Sequence, residues 1–313
     1  MKFKVFSLVV FLVLAGVASW VAVNQFWTPA RSFSSEEQMD AREVAQAIRS
    51  LHRDMGPVRT GDWLASHKEA GQTFKQYLQC NPNVLEEKRN KLYIQPIGEF
   101  NENQLRIVNL TSEFMALYFD CEVKILETKS TNHFPAKAKR LHSAGMRQLL
   151  TTYILYDVLQ PSLPDDAFAM IAFTSDDLYP QESWNFVFGQ ASLRGRVGVW
   201  SIYRNGDPET EFTTCLDRTL KTATHETGHM FSIQHCIAYR CNMNGSNNRS
   251  ESDRHPLFLC PECLPKILVA TKSNPHQRFE KLASFCEKNK LEEAAIYYRN
   301  AAEKVAELTS ENR

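Results

Sequence analysis

The chain predicts an α/β fold built on a twisted, mixed but largely parallel sheet. Three observations carry that expectation. From Lys91 onward, apolar runs of strand length alternate with stretches of helical periodicity, the pattern of strands joined by helical crossovers. One run, Ala167–Phe173, is apolar throughout, as a strand buried on both faces should be. Beyond Lys272 the helical pattern continues to the end, which adds a C-terminal helical hairpin, residues 273–313, turning near Asn289.

The 313 residues suffice to bury a sizeable core, in one large domain or two smaller ones. A hydrophobic content of 43 % and a charged content of 23 % describe an ordinary globular protein. Basic and acidic residues balance at 36 each, with no long basic block. The electrostatic footprint of a nucleic-acid-binding protein is therefore missing.

Residues 1–30 stand apart. Lys2 and Lys4 precede an uncharged run from Val5 to Ala30, with its apolar core at Leu8–Val23. That is long enough to span a bilayer, which takes roughly 20 residues of helix. A basic flank before an apolar run holds the N-terminus inside and sends the following chain across. A signal peptide cleaved near Val17-Ala18-Ser19 is one reading. The other is a single transmembrane anchor whose far end is marked by Trp20, Trp27 and Arg31. The apolar run continues past the cleavage site, which favours the anchor. Both place the remaining chain, membrane-anchored or exported, on the non-cytoplasmic side.

Residues 31–90 read as an N-terminal helical extension. Ser35 and Gln38 have capping-box spacing; Val44, Ile48, Leu51 and Met55 follow at helical intervals, and Gly56-Pro57 supplies a stop. Asp62–Tyr77 holds a weaker helical pattern, and no recognisable chemistry falls in the extension.

In the main domain, residues 91–272, Leu92–Ile97 reads as a strand closed by Gly98, and Leu105, Val108, Met115 and Phe119 mark a helix. Val123 and Ile125 alternate as in a strand, and a loop follows around Phe134-Pro135. Met146, Leu149, Leu150, Tyr153 and Ile154 suggest an amphipathic helix ended by Pro161 and Pro164. After the buried strand, Asp176 and Asp177 are expected to cap a turn. The aromatic cluster Trp184–Ala191 has core packing as its plain reading. The sharper one makes Asn185–Gly189 a short edge strand that lines a cleft and pairs with an extended peptide, with Val197–Tyr203 as a strand behind it.

A longer helix starting after Pro208 carries the chemistry. Phe212, Leu216, Leu220, Ala223, Thr227 and Met230 form one stripe, with His225 roughly opposite. The helix can thus lie on the sheet and still face a metal outward. Positions i and i+4 share a face, so His225 and His229 of the H-E-x-x-H run can hold one ion. Glu226 beside them can take a proton from a metal-bound water. His235 lies beyond the helix and returns as a third ligand only through a chain reversal.

Eight cysteines are present, an even count that invites a disulfide reading in an exported chain. Spacing argues otherwise for four of them. Cys236 and Cys241, then Cys260 and Cys263 as C-x-x-C, give four thiolates that can surround a tetrahedral structural zinc. Two metals are thus implied, meeting at His235-Cys236. Cys80, Cys121, Cys215 and Cys286 are scattered; Cys215 and Cys286 read as small buried residues, and His255, near the distal cysteines, as a surface-loop histidine in preference to one that reaches the cleft.

This string, with Met243 two residues past Cys241, resembles the archaemetzincin family of zinc metallopeptidases. The family pattern is HExxHxxGxxHC, four residues, Cys-x-Met, then a distal C-x-x-C. Asp62–His67, Asp177–Pro180, Trp184–Ser192, Asn244–Asn247 and Arg254–Pro261 look like its animal archaemetzincin-2-like branch, so the resemblance spans residues 60–290. It implies a metzincin-like zincin fold: a twisted sheet, an active-site helix across it, and a cleft between upper and lower subdomains. It implies two zinc ions, a catalytic one on His225, His229 and His235 and a structural one on Cys236, Cys241, Cys260 and Cys263. Glu226 becomes general base and acid in peptide-bond hydrolysis, and Met243 the methionine of a Met-turn beneath the metal. Peptides or proteins are the implied substrates, and a monomer is expected.

One position departs. Ser232 stands where the family has glycine, a residue that lets the chain turn with φ > 0 at no Cβ cost. A serine held there costs about 1–2 kcal/mol. Two other readings stay open: a zinc-stabilised peptide- or protein-binding module whose catalytic site Ser232 distorts, and a zinc hydrolase of a non-peptide amide or ester.

Overall fold

The computed structural model describes residues 33–142, 145–193 and 195–311. The apolar N-terminal run, with its two readings, lies outside them. Among the described residues no helix is long and apolar enough to cross a membrane.

The first half of the chain forms α1 (Ser35–Ala47), α2 (Trp63–Ser66), α3 (Phe74–Gln79), β1 (Lys91–Ile97), α4 (Glu102–Phe119) and β2 (Glu122–Ile125). Next come β3 (Lys139–Leu141), β4 (Arg147–Leu150) and α5 (Thr151–Tyr153), which continues as a π-helical segment, Ile154–Leu159. The strands β5 (Ala167–Thr174), β6 (Asp177–Tyr179), β7 (Gly189–Ser192) and β8 (Val197–Ser201) follow. The helices α6 (Phe212–Met230), α7 (Arg249–Asp253), α8 (Leu264–Thr271), α9 (Pro275–Lys288) and α10 (Glu292–Glu311) complete the chain.

The main sheet has the order β2-β1-β5-β8-β7. Its pairs are parallel except β7 with β8, so the sheet is mixed. A smaller sheet joins β3, β4 and β6. The two-residue period of a strand divides the apolar run of β5 between two cores. Ala169, Ile171 and Phe173 join Leu92 and Ile94 on one face. Met170 and Ala172 join Tyr93, Val197 and Val199 on the other, where Ile154, Leu155 and Leu159 cover them. Both faces are dry, which is why the run reads as continuously apolar.

The helix α6 lies on the first face. Leu216, Leu220, Ala223 and Met230 are buried there, and Phe231 just after the helix stacks on Phe168 and Phe119 with centroids 4.1 and 5.1 Å away. Gly198 permits this approach: a Cβ there would lie 3.0 Å from Met230 Cε and closer still to the Trp200 ring. The end of α6 is thereby fixed against the sheet, and its opposite side is left to carry chemistry. The hairpin of α9 and α10 braces the far side. Tyr298 Oη donates to Leu257 O at 2.9 Å and Tyr297 Oη to Leu259 O at 3.3 Å, holding the segment that leads into Cys260.

Several local expectations are corrected. Met146–Ile154 is not one helix, because Gln148–Leu150 pair with Asp177–Tyr179 and the helix begins only at Thr151. The apolar residues there satisfy both periods, and strand pairing decides between them. Asp177 consequently sits in a strand rather than capping a turn. It is fully buried, with Arg204 donating at 2.8 and 2.7 Å and Gln148 at 2.7 Å. The edge strand is Gly189–Ser192, later than Asn185–Gly189. At the N-terminus the capping box joins Ser34 to Glu37, one residue earlier than expected, and α1 ends at Ala47.

Candidate metal centre

The face of α6 that turns away from the sheet presents His225 and His229, whose Nε2 atoms lie 3.0 Å apart. His235 joins them through the reversal at Ser232. Ser232 has φ 68°, its N–H donates to His229 O at 2.8 Å, and Ile233 N–H donates to Gly228 O at 3.2 Å. Those two bonds close a Schellman motif with Ser232 at the left-handed position. Two neighbours brace the turn through three hydrogen bonds. Asn83 N–H donates to Ser232 Oγ at 3.0 Å, Gln72 Nε2 to Ser232 O at 3.1 Å, and Asn83 Nδ2 to Met230 O at 3.0 Å.

Every Nδ1 of the three rings meets an acceptor. His225 Nδ1 faces Asn242 O at 2.7 Å, His229 Nδ1 faces Ile233 O at 2.6 Å, and His235 Nδ1 lies 2.9 and 3.1 Å from the Glu69 carboxylate. Such partners place the proton on Nδ1 and leave Nε2 as the free lone pair. Centroid separations of 4.7, 4.9 and 5.4 Å put the three rings around one point. Burial holds the His225 pKa down to about 3 and that of His229 well below its ordinary value, so both rings are neutral, the form that ligates. Glu226 is buried beside them, and burial pushes its carboxyl up to about 8. A divalent cation nearby would favour the ionised form again.

The four predicted cysteines form a second cluster that shares the His235-Cys236 junction. Cys236 and Cys260 Sγ lie 3.5 Å apart, and the Met243 and Cys260 N–H groups each donate to Cys241 Sγ at 3.4 Å. All four are buried, and none is in a disulfide. Hydrogen bonds from Cys241, Cys260 and Cys263 hold the Cys236 thiol far below its ordinary range, so one thiolate is favoured, while burial and hydrogen bonding within the cluster push the Cys241 and Cys263 thiols well up. Three imidazoles with room for a further ligand, and four sulfurs closing a tetrahedral shell, are both donor sets that zinc takes.

Residues 139–268 match the family model described as peptidase family M54. Archaemetzincin-2 of Rattus norvegicus is 30 % identical over 308 residues, 86 % of this chain and 84 % of that protein. Archaemetzincin-2 of Homo sapiens is 32 % identical over 298 residues, 84 % of this chain and 81 % of that protein. The chain belongs to the archaemetzincin family. It is accordingly a zinc metallopeptidase, a hydrolase. Among solved structures, an archaemetzincin from Methanopyrus kandleri is 30 % identical and covers 60 % of this chain and 98 % of that one, at a TM-score of 0.47.

The structure brings His225, His229 and His235 into one cluster and the four cysteines into another, with Glu226 beside the first and Met243 under Gly228. Met243 is fully buried beneath the helix, and a Cβ on Gly228 would meet its Sδ at 2.6 Å. A glycine inside the H-E-T-G-H run is thus explained by the thioether packed under it.

Some functional neighbours were missed. Glu69 comes from the extension expected to hold no chemistry. Burial opposes ionisation of its carboxyl, yet hydrogen bonding and charge from His235, with smaller help from Trp63 and His67, leave the pKa below its ordinary value. Trp63 packs edge-on to His235 at 5.3 Å and stacks on His67 at 3.7 Å. Its backbone N–H donates to the buried Glu251 carboxylate at 2.9 and 3.0 Å. The only signal for this group was the Asp62–His67 string; a lone Glu69 in a polar run has none. His255 is half-buried rather than a surface-loop side chain, and lines a cavity with His225 and Glu226.

Proposed function

We propose that the chain hydrolyses peptide bonds at a zinc held by His225, His229 and His235, with Glu226 as general base and then acid. A second, structural zinc on Cys236, Cys241, Cys260 and Cys263 makes two ions per chain. One observation carries this reading: each of the three rings has an acceptor on Nδ1 while the Nε2 atoms converge. The chemistry supplied by zinc there is Lewis acidity, which polarises a carbonyl and acidifies water. Asn242 O, Ile233 O and Glu69 fix the tautomer and aim of the rings. Glu226 takes a proton from the attacking water and delivers it to the leaving amine. Burial away from competing solvent strengthens that exchange. Met243 serves as the apolar floor of a metzincin-like site, and the Cys cluster clamps the reversal that returns His235.

Peptides or proteins are the proposed substrates. The uncharged run of residues 5–30 supports a membrane-anchored or exported location for the catalytic domain. The braced turn at Ser232 keeps His235 on the ring cluster, which favours catalysis over a pure binding module. The test is to load the purified chain with zinc, count zinc per chain, and profile a peptide library by mass spectrometry against Glu226→Gln. Two zinc ions per chain are expected, with cleavage lost in the variant and metal content unchanged. Wild-type-like hydrolysis by Glu226→Gln would sink the mechanism, and peptide binding without hydrolysis by the wild type would favour the binding module.

A further inference from the structure

The side of α6 that carries Glu226 continues as a cavity wall toward the start of the helix. Next to the reaction centre, Lys221, Thr222, His225 and Glu226 line a small cavity of about 30 Å³, closed opposite by residues that include Ser252 and His255. Beyond it, Thr214, Arg218 and Lys221 line a larger cavity of about 390 Å³, whose outer wall is Leu257 and the hairpin turn at Lys290–Glu293. Lys221 borders both. Its side chain is nine-tenths buried, and its ammonium meets Asp217 at 2.7 Å. An ammonium has three donors, and one carboxylate oxygen satisfies one of them. In the larger cavity Arg218 is already bound by both oxygens of Asp253, at 2.9 and 2.7 Å. In the smaller one Lys221 is the lining ammonium, paired with Asp217 through one of its three donors.

We propose that Lys221 is a specificity-determining residue that binds a carboxylate of the substrate. The inference rests on the peptidase reading above. Lys221 lies five helical positions before Glu226, about 7.5 Å along the axis, which an extended peptide covers in about two residues. The carboxylate therefore lies within about two residues of the bond cleaved. It comes from an aspartate or glutamate side chain, or from a free C-terminus. The small volume beside Glu226 excludes a bulky intervening side chain, and the larger cavity receives the chain beyond.

Two peptide sets separate the sources. One places Asp or Glu within two residues of the cleaved bond in C-terminally amidated peptides. The other compares free with amidated C-termini in otherwise neutral peptides. The ratio of kcat/KM for carboxylate-bearing over neutral peptides should be at least about tenfold in one set. It should fall to about one in Lys221→Met and favour basic peptides in Lys221→Glu. A wild-type ratio near one in both sets, or a ratio unchanged in Lys221→Met, overturns the proposal. Should the peptidase reading fail and no peptide be cut, binding still decides. Fluorescence anisotropy with the zinc-loaded Glu226→Gln chain should show tighter, salt-sensitive binding of the carboxylate peptides, and Lys221→Met should abolish the difference. No difference in that measurement also overturns it.

Discussion

The substitution Ser232→Gly tests how the turn that returns His235 is held. Ser232 sits at φ 68°, so removing its Cβ relieves about 1–2 kcal/mol of strain. The same change deletes the acceptor for the exposed Asn83 N–H, a loss of about 0.5 kcal/mol at such a site. It also frees the unfolded chain, worth a further 0.4–1 kcal/mol or so. These effects nearly cancel, so Ser232→Gly should move Tm by less than about 3 °C. Companion variants make the argument decisive. Ser232→Ala keeps the strained Cβ and loses the acceptor, and should melt about 2 °C below the glycine variant. Ser232→Val places a β-branched residue in the left-handed region, a genuine outlier, and should melt lower again. Scanning calorimetry at saturating zinc measures the series. Equal melting of the Gly, Ala and Val variants would refute the claim that this position needs φ > 0. A glycine variant well below wild type would instead put the Asn83 contact ahead of backbone strain.

Two further outcomes follow from the surroundings of the metal centre. Glu69→Ala removes the acceptor for His235 Nδ1 and should weaken zinc binding by about 10–100-fold in chelator competition, whereas unchanged affinity would exclude Glu69 from orienting the ring. Burial lowers the His52 pKa from 6.5 to about 4, and its Nδ1 has no partner. A depressed imidazole contributes stability that is fully present above pH 6.5 and is lost as pH falls through about 4. His52→Gln should therefore lose less stability than wild type over that window, and identical acid limbs would show that His52 does not titrate with unfolding.

Much of the fold was legible because its signals are local. The seven apolar residues Ala167–Phe173 admit a doubly buried strand, and the helical stripe from Phe212 to Met230 states which side of α6 meets the sheet. Met146–Ile154 was misread because apolar residues at those positions suit both periods, and the choice fell to Gln148–Leu150 pairing with a strand about thirty residues away. Ser34 and Ser35 both begin a capping box by spacing, and only the coordinates of the side-chain oxygen separate them.

Sequence alone predicted the two candidate donor sets, from the i, i+4 spacing of His225 and His229 on a helix and from the two cysteine pairs, while their convergence across α7 is tertiary. It also determined that Ser232 stands at a turn suited to glycine. Tertiary structure decided what surrounds those donors. Glu69 and Trp63 reach the site from the N-terminal extension and His255 from the loop after α7, and Lys221 gains its place only when the loop after Met243 and the C-terminal hairpin close two cavities against α6. Ligand identity is a local property of the chain. The orientation of each ring and the electrostatics of the cleft depend on contacts between distant segments, which no periodicity records.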